Sequence, residues 1–116
     1  MSDVKRGDIW LINLDPAIGH EIKKARPGVI IQNDYGNKYS QITIIAPITS
    51  QKIEQVYPFE VFLKQGKALE KDSKALLNQI RAVDKIRLVK KLGSVNEEEL
   101  HNIDDALKIS LGLTEV

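Results

Sequence analysis

Apolar positions fall into short clusters divided by turn-forming residues, and their spacing predicts strands for most of the length. Asp8-Ile9-Trp10-Leu11-Ile12-Asn13-Leu14 is mostly apolar with β-favouring side chains, and Asp15-Pro16 ends it. Ala17 to Arg26 carries Gly19 and several charges without a helical period, which predicts a polar loop of a length that is often functional. Pro27 opens a second strand, Gly28 to Asn33, because a proline is tolerated at a strand's first residue. The stretch Asn33 to Lys38 is rich in turn formers, and Ile42 to Ala46 is a third strand ending at Pro47. Phe59 to Leu63 predicts a fourth strand and Lys74 to Gln79 a fifth. Asp84 to Leu88 is expected to be one helical turn, and Val89 to Ser94 a last short strand.

One helix closes the chain. Asn96 can cap it, Glu99 completes a capping box and Val95 can staple onto Leu100, while Leu100, Ile103, Leu107 and Leu111 form one apolar stripe. Several short strands and a terminal helix point to a mainly β protein, a small compact barrel with helical additions. At 116 residues with 42% apolar positions, the chain suits one domain, 1–116, with one core. Its apolar runs are too short to span a bilayer and Met1 to Arg6 lacks a signal peptide's apolar region, so a soluble, cytoplasmic protein without a membrane association is expected.

Composition narrows the chemistry. With no cysteine, disulfides, thiolate metal sites and thiol nucleophiles are excluded. Two histidines, His20 and His101, lie far apart in sequence without an HExxH pattern, which argues against a transition-metal site. The expectation is no metal and no cofactor. The net charge of +1 hides a division: residues 1–94 hold 16 Lys/Arg against 10 Asp/Glu, a net +6, and residues 95–116 hold one Lys against six acids, a net −5. A basic region followed by an acidic segment is compatible with a polyanionic ligand on the former.

Four pieces of sequence go further. Lys5-Arg6-Gly7-Asp8-Ile9-Trp10, Gly19-His20-Glu21 with Ala25-Arg26-Pro27, Ile31 to Asp34 with Pro47-Ile48-Thr49-Ser50, and Leu77 to Leu88 follow one another in order. Together they resemble the MazF/PemK toxins: an opening KRGD[IV][WY], a GxE…RP loop, an [AP][IV]T[ST] segment and an LxQIRxxDxxRL block. The resemblance spans nearly the whole chain. It implies an SH3-like (CcdB/PemK-type) barrel, a homodimer, and sequence-specific cleavage of single-stranded RNA (mRNA) to a 2′,3′-cyclic phosphate and a 5′-hydroxyl. It also implies a MazE-like antitoxin whose disordered segment covers the active groove.

RNA supplies its own nucleophile, the 2′-hydroxyl, so such an enzyme need only align it, stabilise the charged phosphorane and manage two protons. The family pattern assigns these tasks to Arg26 and Thr49. Arg26 offers a planar donor fork for phosphate oxygens and Thr49 a hydroxyl donor. A guanidinium keeps its proton at neutral pH, so Arg26 is expected to act as electrostatic stabiliser. Glu21 is either its counter-ion or a solvent-facing loop carboxylate. Lys23, Lys24 and His20 belong to the same loop and are expected to flank RNA, while the amides of Asn33 and Gln79 can read base edges. Arg81 and Asp84 suit a structural network between a strand and the following turn. Trp10 and Tyr39 could stack on bases, although an aromatic inside or after a strand belongs more often to a core. His101 is expected at the surface. Two other readings use the same fold: a CcdB-like toxin without nuclease activity, against which the pairing of Arg26-Pro27 with Thr49 speaks, and an SH3-like peptide-binding module, for which 5% aromatic content offers little.

Overall fold

The first apolar cluster forms strand β1, Asp8–Asn13. Its residues do not alternate because both faces are covered: Ile9 packs into one apolar cluster, and Trp10 and Ile12 pack into another on the opposite face. The structure, a computed structural model, describes residues 3–15, 20 and 25–116. Further strands are β2 (Ala25–Ile30), β3 (Ile42–Thr49), β4 (Glu60–Leu63), β5 (Ser73–Leu76), β6 (Arg81–Asp84) and β7 (Leu88–Ser94). All recorded pairings are antiparallel, in the order β4-β5-β3-β2-β1-β7, with β6 paired to β3 beyond β5.

The mainly β architecture with a C-terminal helix is as expected, but the ladder does not close into a barrel. β4 and β7 are its two edges, and the β4–β5 connection packs in their place. Ala68 lies against Gly93 so closely that a Cβ on Gly93 would come within 2.8 Å of the Ala68 methyl. Leu69 from the same connection is buried in the larger core cluster.

Pro27 and Pro47 lie inside strands rather than at their ends. Pro27 sits opposite Leu11 in β1, so β2 starts two residues earlier than the sequence predicts and stops at Ile30. Pro47 lies in β3 where its second neighbour changes: β6 pairs with Ile42 to Ile45, and β5 with Ile48 and Thr49. That interruption removes one strand-pairing demand from Pro47. β6 was not anticipated, and β5 is shorter than the predicted 74–79.

The turn-rich stretch after β2 is helix α1, Asp34–Tyr39, capped by Asn33, whose Oδ1 accepts from the Gly36 amide at 2.8 Å. Asn37 is buried and binds Gln32 and Thr43, pinning α1 to β3. Tyr39 is 67% exposed and lies against Tyr35, so it is not a core residue. Trp10 is buried, as expected. The expected helical turn is a 3-10 helix at Lys85–Arg87, capped by Asp84.

Helix α2, Glu97–Ser110, has the predicted capping box in both directions: Glu99 N–H donates to Asn96 Oδ1 at 2.7 Å and Asn96 N–H to Glu99 Oε1 at 3.0 Å. Ile103 and Ala106 enter the larger core cluster, with Val95 and Leu107 beside it. Leu111 leaves the predicted stripe; it is the C-cap residue and 53% exposed. His101 is at the surface, 3.4 Å from Asp105. Among the described residues, no helix is long and apolar enough to cross a membrane.

Candidate active site

Lys5-Arg6-Gly7-Asp8 is a structural corner. Gly7 has φ +91°, which a glycine adopts without strain, and its amide donates to Ile30 O while its carbonyl accepts from Val95 N–H. Arg6 binds Ile31 O through Nε and pairs with Asp104 on α2. Its amide donates to Asp34 at 2.7 Å, and chiefly for that reason the Asp34 carboxyl is held below its ordinary pKa, with Asn37, Lys5 and the Arg6 charge adding to the effect. Asp8 is buried, accepts from the Lys5 amide and lies 3.4 Å from Lys91. These contacts tie β1, β2 and α2 together at the end of the sheet away from Arg26.

The block from Leu77 to Leu88 works at the opposite end of β1. Arg81 donates to Leu14 O at 3.1 Å, and Arg87 donates to Asn13 O at 3.1 Å and also to Asp15 O. Asp84 Oδ1 accepts from the Ile86 amide. Asp84 thus joins its strand to the following turn as expected, whereas Arg81 binds the residue after β1 rather than that turn. The two arginines hold the stretch that leads out of β1 toward residues 16–24.

Arg26 is the second residue of β2, half-buried and opposite Ile12 of β1. The pairing of β2 with β3 is recorded from Ile30↔Ile45 to Gly28↔Pro47. One further like-faced step along each strand reaches Arg26 and Thr49, so the two stand at the same end of the sheet and on the same face. There Thr49 pairs with Lys74 of β5. Thr49 is only 7% exposed, and its Oγ1 accepts from the Gln51 amide at 3.1 Å, which leaves the hydroxyl hydrogen for another acceptor.

A cavity of about 420 Å³ opens beside this end. Leu11, Ile48 and Leu92 contribute apolar surface to it, and Arg26, Ser50 and Ser73 polar groups. Thr49 is not among its lining residues, whereas Ser50 is. The hydroxyls that share the wall with Arg26 are those of Ser50 and Ser73, and of these Ser50 adjoins the matched Thr49. The signal for Ser50 was present, since Thr49-Ser50 stood together in the matched segment.

The other candidates scatter. Glu21, Lys23 and Lys24 lie outside the described residues. His20 is described and exposed. Asn33 stands beyond the far end of β2, with the strand's length of roughly 15 Å between it and the Arg26 end, and its Oδ1 is engaged in capping α1. Gln79 is half-buried in the turn after β5, alongside the middle of β3, with its amide donating to Leu76 O.

Lys74 and Glu60 were also missed. Their side chains are 6% and 8% exposed and pair at 2.8 Å. Opposite charges near the starts of two apolar strands were the available signal, but only the register reveals that they meet.

Fold and site define a class: a small mainly β protein, one curled antiparallel sheet covered by a C-terminal helix, with guanidinium and hydroxyl groups gathered at one end. Residues 5–111 match the family described as the PemK-like, MazF-like toxin of type II toxin-antitoxin systems, and the chain belongs to that family. Among solved structures it is similar to MazF from Deinococcus radiodurans, with a TM-score of 0.83, 24% identity, and coverage of 97% of this chain and 99% of that one. It is also similar to an endoribonuclease in complex with its cognate antitoxin from a mycobacterial species, with a TM-score of 0.81, 21% identity, and coverage of 97% and 99%. The Mycobacterium tuberculosis toxin MazF-mt6 has a TM-score of 0.78 and 18% identity, with coverage of 93% and 99%. At these identities the structural likeness speaks for the fold.

Proposed function

We propose that this chain is the toxin of a toxin-antitoxin pair and a sequence-specific endoribonuclease that cuts single-stranded mRNA in the cytoplasm without a metal ion. The observation that carries the reading is the placement of Arg26, Thr49 and Ser50 at one end of the β2–β3 ladder beside an open cavity. Family membership and the endoribonuclease among the similar structures support it. The one-domain chain works as a homodimer and is silenced by a MazE-like antitoxin, a segment of which occupies the groove.

The 2′-hydroxyl of the substrate attacks the adjacent phosphorus and the 5′-oxygen leaves, giving a 2′,3′-cyclic phosphate and a 5′-hydroxyl. Arg26 binds the non-bridging oxygens with its donor fork, where charge grows in the transition state. Thr49, already accepting from the Gln51 amide, donates its own hydrogen to the same phosphate. Ser50 supplies a second hydroxyl from the cavity wall. Glu21 orients Arg26, while Lys23, Lys24 and His20 flank the RNA backbone. The side-chain amides of Gln79 and Asn33 are the groups that read base edges, with Asn33 standing at the far end of β2 and also capping α1.

The test is incubation of purified protein with mixed-sequence single-stranded RNA in EDTA, beside Arg26→Ala. Wild-type protein is expected to yield 5′-hydroxyl products, and the variant to lose about 100- to 1,000-fold in rate, the loss typical for one transition-state donor. Intact RNA with the wild type, or equal cleavage by both, would overturn the reading.

A further inference from the structure

Lys74 lies opposite Thr49 in the β3–β5 ladder, and directly opposed side chains share a face with Cβ atoms about 5 Å apart. Its ammonium turns away from solvent to two acceptors, Glu60 Oε1 at 2.8 Å and Gln55 O at 2.8 Å. The same Glu60 oxygen accepts from the Tyr57 amide at 3.0 Å. Gln55 and Tyr57 belong to the connection between β3 and β4, which begins at Ser50. One buried ion pair therefore grips that connection at two backbone points, while its lysine stem runs alongside Thr49.

A loop is a poor platform for a group that must meet a phosphorane, because its backbone has few ladder bonds to hold it. In the connection after Thr49, Phe59 O accepts from the Leu77 amide beside β5 and two bonds close local turns, Gln55 N–H to Lys52 O and Glu60 N–H to Tyr57 O, while residues 50–56 have no ladder pairing. The lysine–glutamate clamp supplies the missing restraint from β4 and β5, both of which are paired strands. A buried charge pair is an expensive way to hold two strands together if packing alone is required, since apolar residues of similar size serve equally well. What apolar residues lack is an ammonium for Gln55 O and a carboxylate for the Tyr57 amide.

The geometry points to Lys74, with Glu60, as a positioning residue for RNA cleavage: the pair sets the path of the chain leaving Thr49, and so the placement of the Thr49 and Ser50 hydroxyls against the substrate phosphate. The inference rests on the nuclease reading of this site. It assigns Lys74 no contact with RNA.

The experiment uses the full chain with Lys74→Met and Glu60→Met combined, so that neither charge is left alone and the fold survives, and compares it with Glu60→Gln. Three quantities are measured: hydrogen exchange of the backbone over residues 50–59, thermal midpoint, and kcat and KM on the mixed-sequence RNA. The Met pair is expected to exchange faster in that segment with its thermal midpoint near wild type. Its kcat should fall by about tenfold to a hundredfold with KM little changed, the result of misplacing a reacting group by a fraction of an ångström to an ångström. Glu60→Gln keeps an acceptor for both the Tyr57 amide and Lys74 but leaves the buried ammonium without its counter-charge, so its thermal midpoint should fall while the folded protein keeps most of its kcat. Unchanged kcat in the Met pair, with the wild type active, would overturn the inference alone. A rise in KM at constant kcat would overturn it in favour of direct RNA binding by Lys74. Wild-type protein inactive on RNA would remove the nuclease reading and this inference with it.

Discussion

Gly28 stands on β2 between Arg26 and Ile30, opposite Trp10 on one side and Pro47 on the other. A Cβ there would lie 2.7 Å from Ile12 Cδ1 and 3.3 Å from Ala46 O. Ile12 is fully buried in the cluster with Trp10, Ile30, Ile45 and Val83, so its Cδ1 has no free space to enter. Overpacking of this kind costs about 1–3 kcal/mol, and the reduced freedom of the unfolded chain returns about 0.4–1 kcal/mol. Gly28→Ala is therefore expected to destabilise by about 1–2 kcal/mol, or roughly 1 M in urea midpoint with a slope of about 1–3 kcal/mol/M. Ile12→Val deletes the clashing Cδ1 and by itself costs about 0.5–1.5 kcal/mol. Combined, the two changes should cost about 1 kcal/mol less than the sum of the singles, a coupling characteristic of residues in contact. Urea unfolding of the four proteins followed by far-ultraviolet circular dichroism measures the cycle. Strict additivity, or a Gly28→Ala protein as stable as wild type, would refute close approach as the reason for glycine at this position.

Asn96→Ala removes the acceptor for the Glu99 amide and one half of the capping box, and should cost about 1 kcal/mol, seen as a thermal midpoint lowered by about 4 °C; an unchanged midpoint would mean that the α2 terminus is held by packing alone. Asp34 has a folded-state pKa below its ordinary 3.8, first because the Arg6 amide donates to it. Its contribution is thus fully present above the ordinary value and is lost as pH falls through the lowered folded value. Wild-type stability should fall more steeply than that of Asp34→Asn below about pH 4, and parallel urea-midpoint profiles of the two proteins across that range would contradict the assignment.

Much of the element order was legible because it depends on local chemistry. The capping box at Asn96 and Glu99 needs only neighbouring residues, and β1, β4 and β7 appear close to their predicted bounds for the same reason. The misses share a cause. Asn33 reads as a turn residue until Gly36 and the buried Asn37 are placed around it, after which it is seen to cap α1. Pro27 and Pro47 read as strand boundaries because a proline lacks a donor, yet the ladder tolerates both within strands. Leu111 continues a helical apolar period but lies past the end of the helix, where no partner covers it.

By itself the sequence determined a mainly β chain with a capped C-terminal helix, a basic region ahead of an acidic segment, and Arg26 and Thr49 as the residues to watch. The elements and the charge division follow from side-chain type and short spacing, whereas Arg26 and Thr49 stand out only through the resemblance to the MazF/PemK toxins. Only the tertiary structure decided that Arg26 and Thr49 share one end of the sheet, that Ser50 and not Thr49 lines the cavity, and that Lys74 and Glu60 meet beneath the chain leaving Thr49. Such meetings depend on strand register, in which a shift of one residue turns a side chain to the other face, and on pairings between segments distant in sequence.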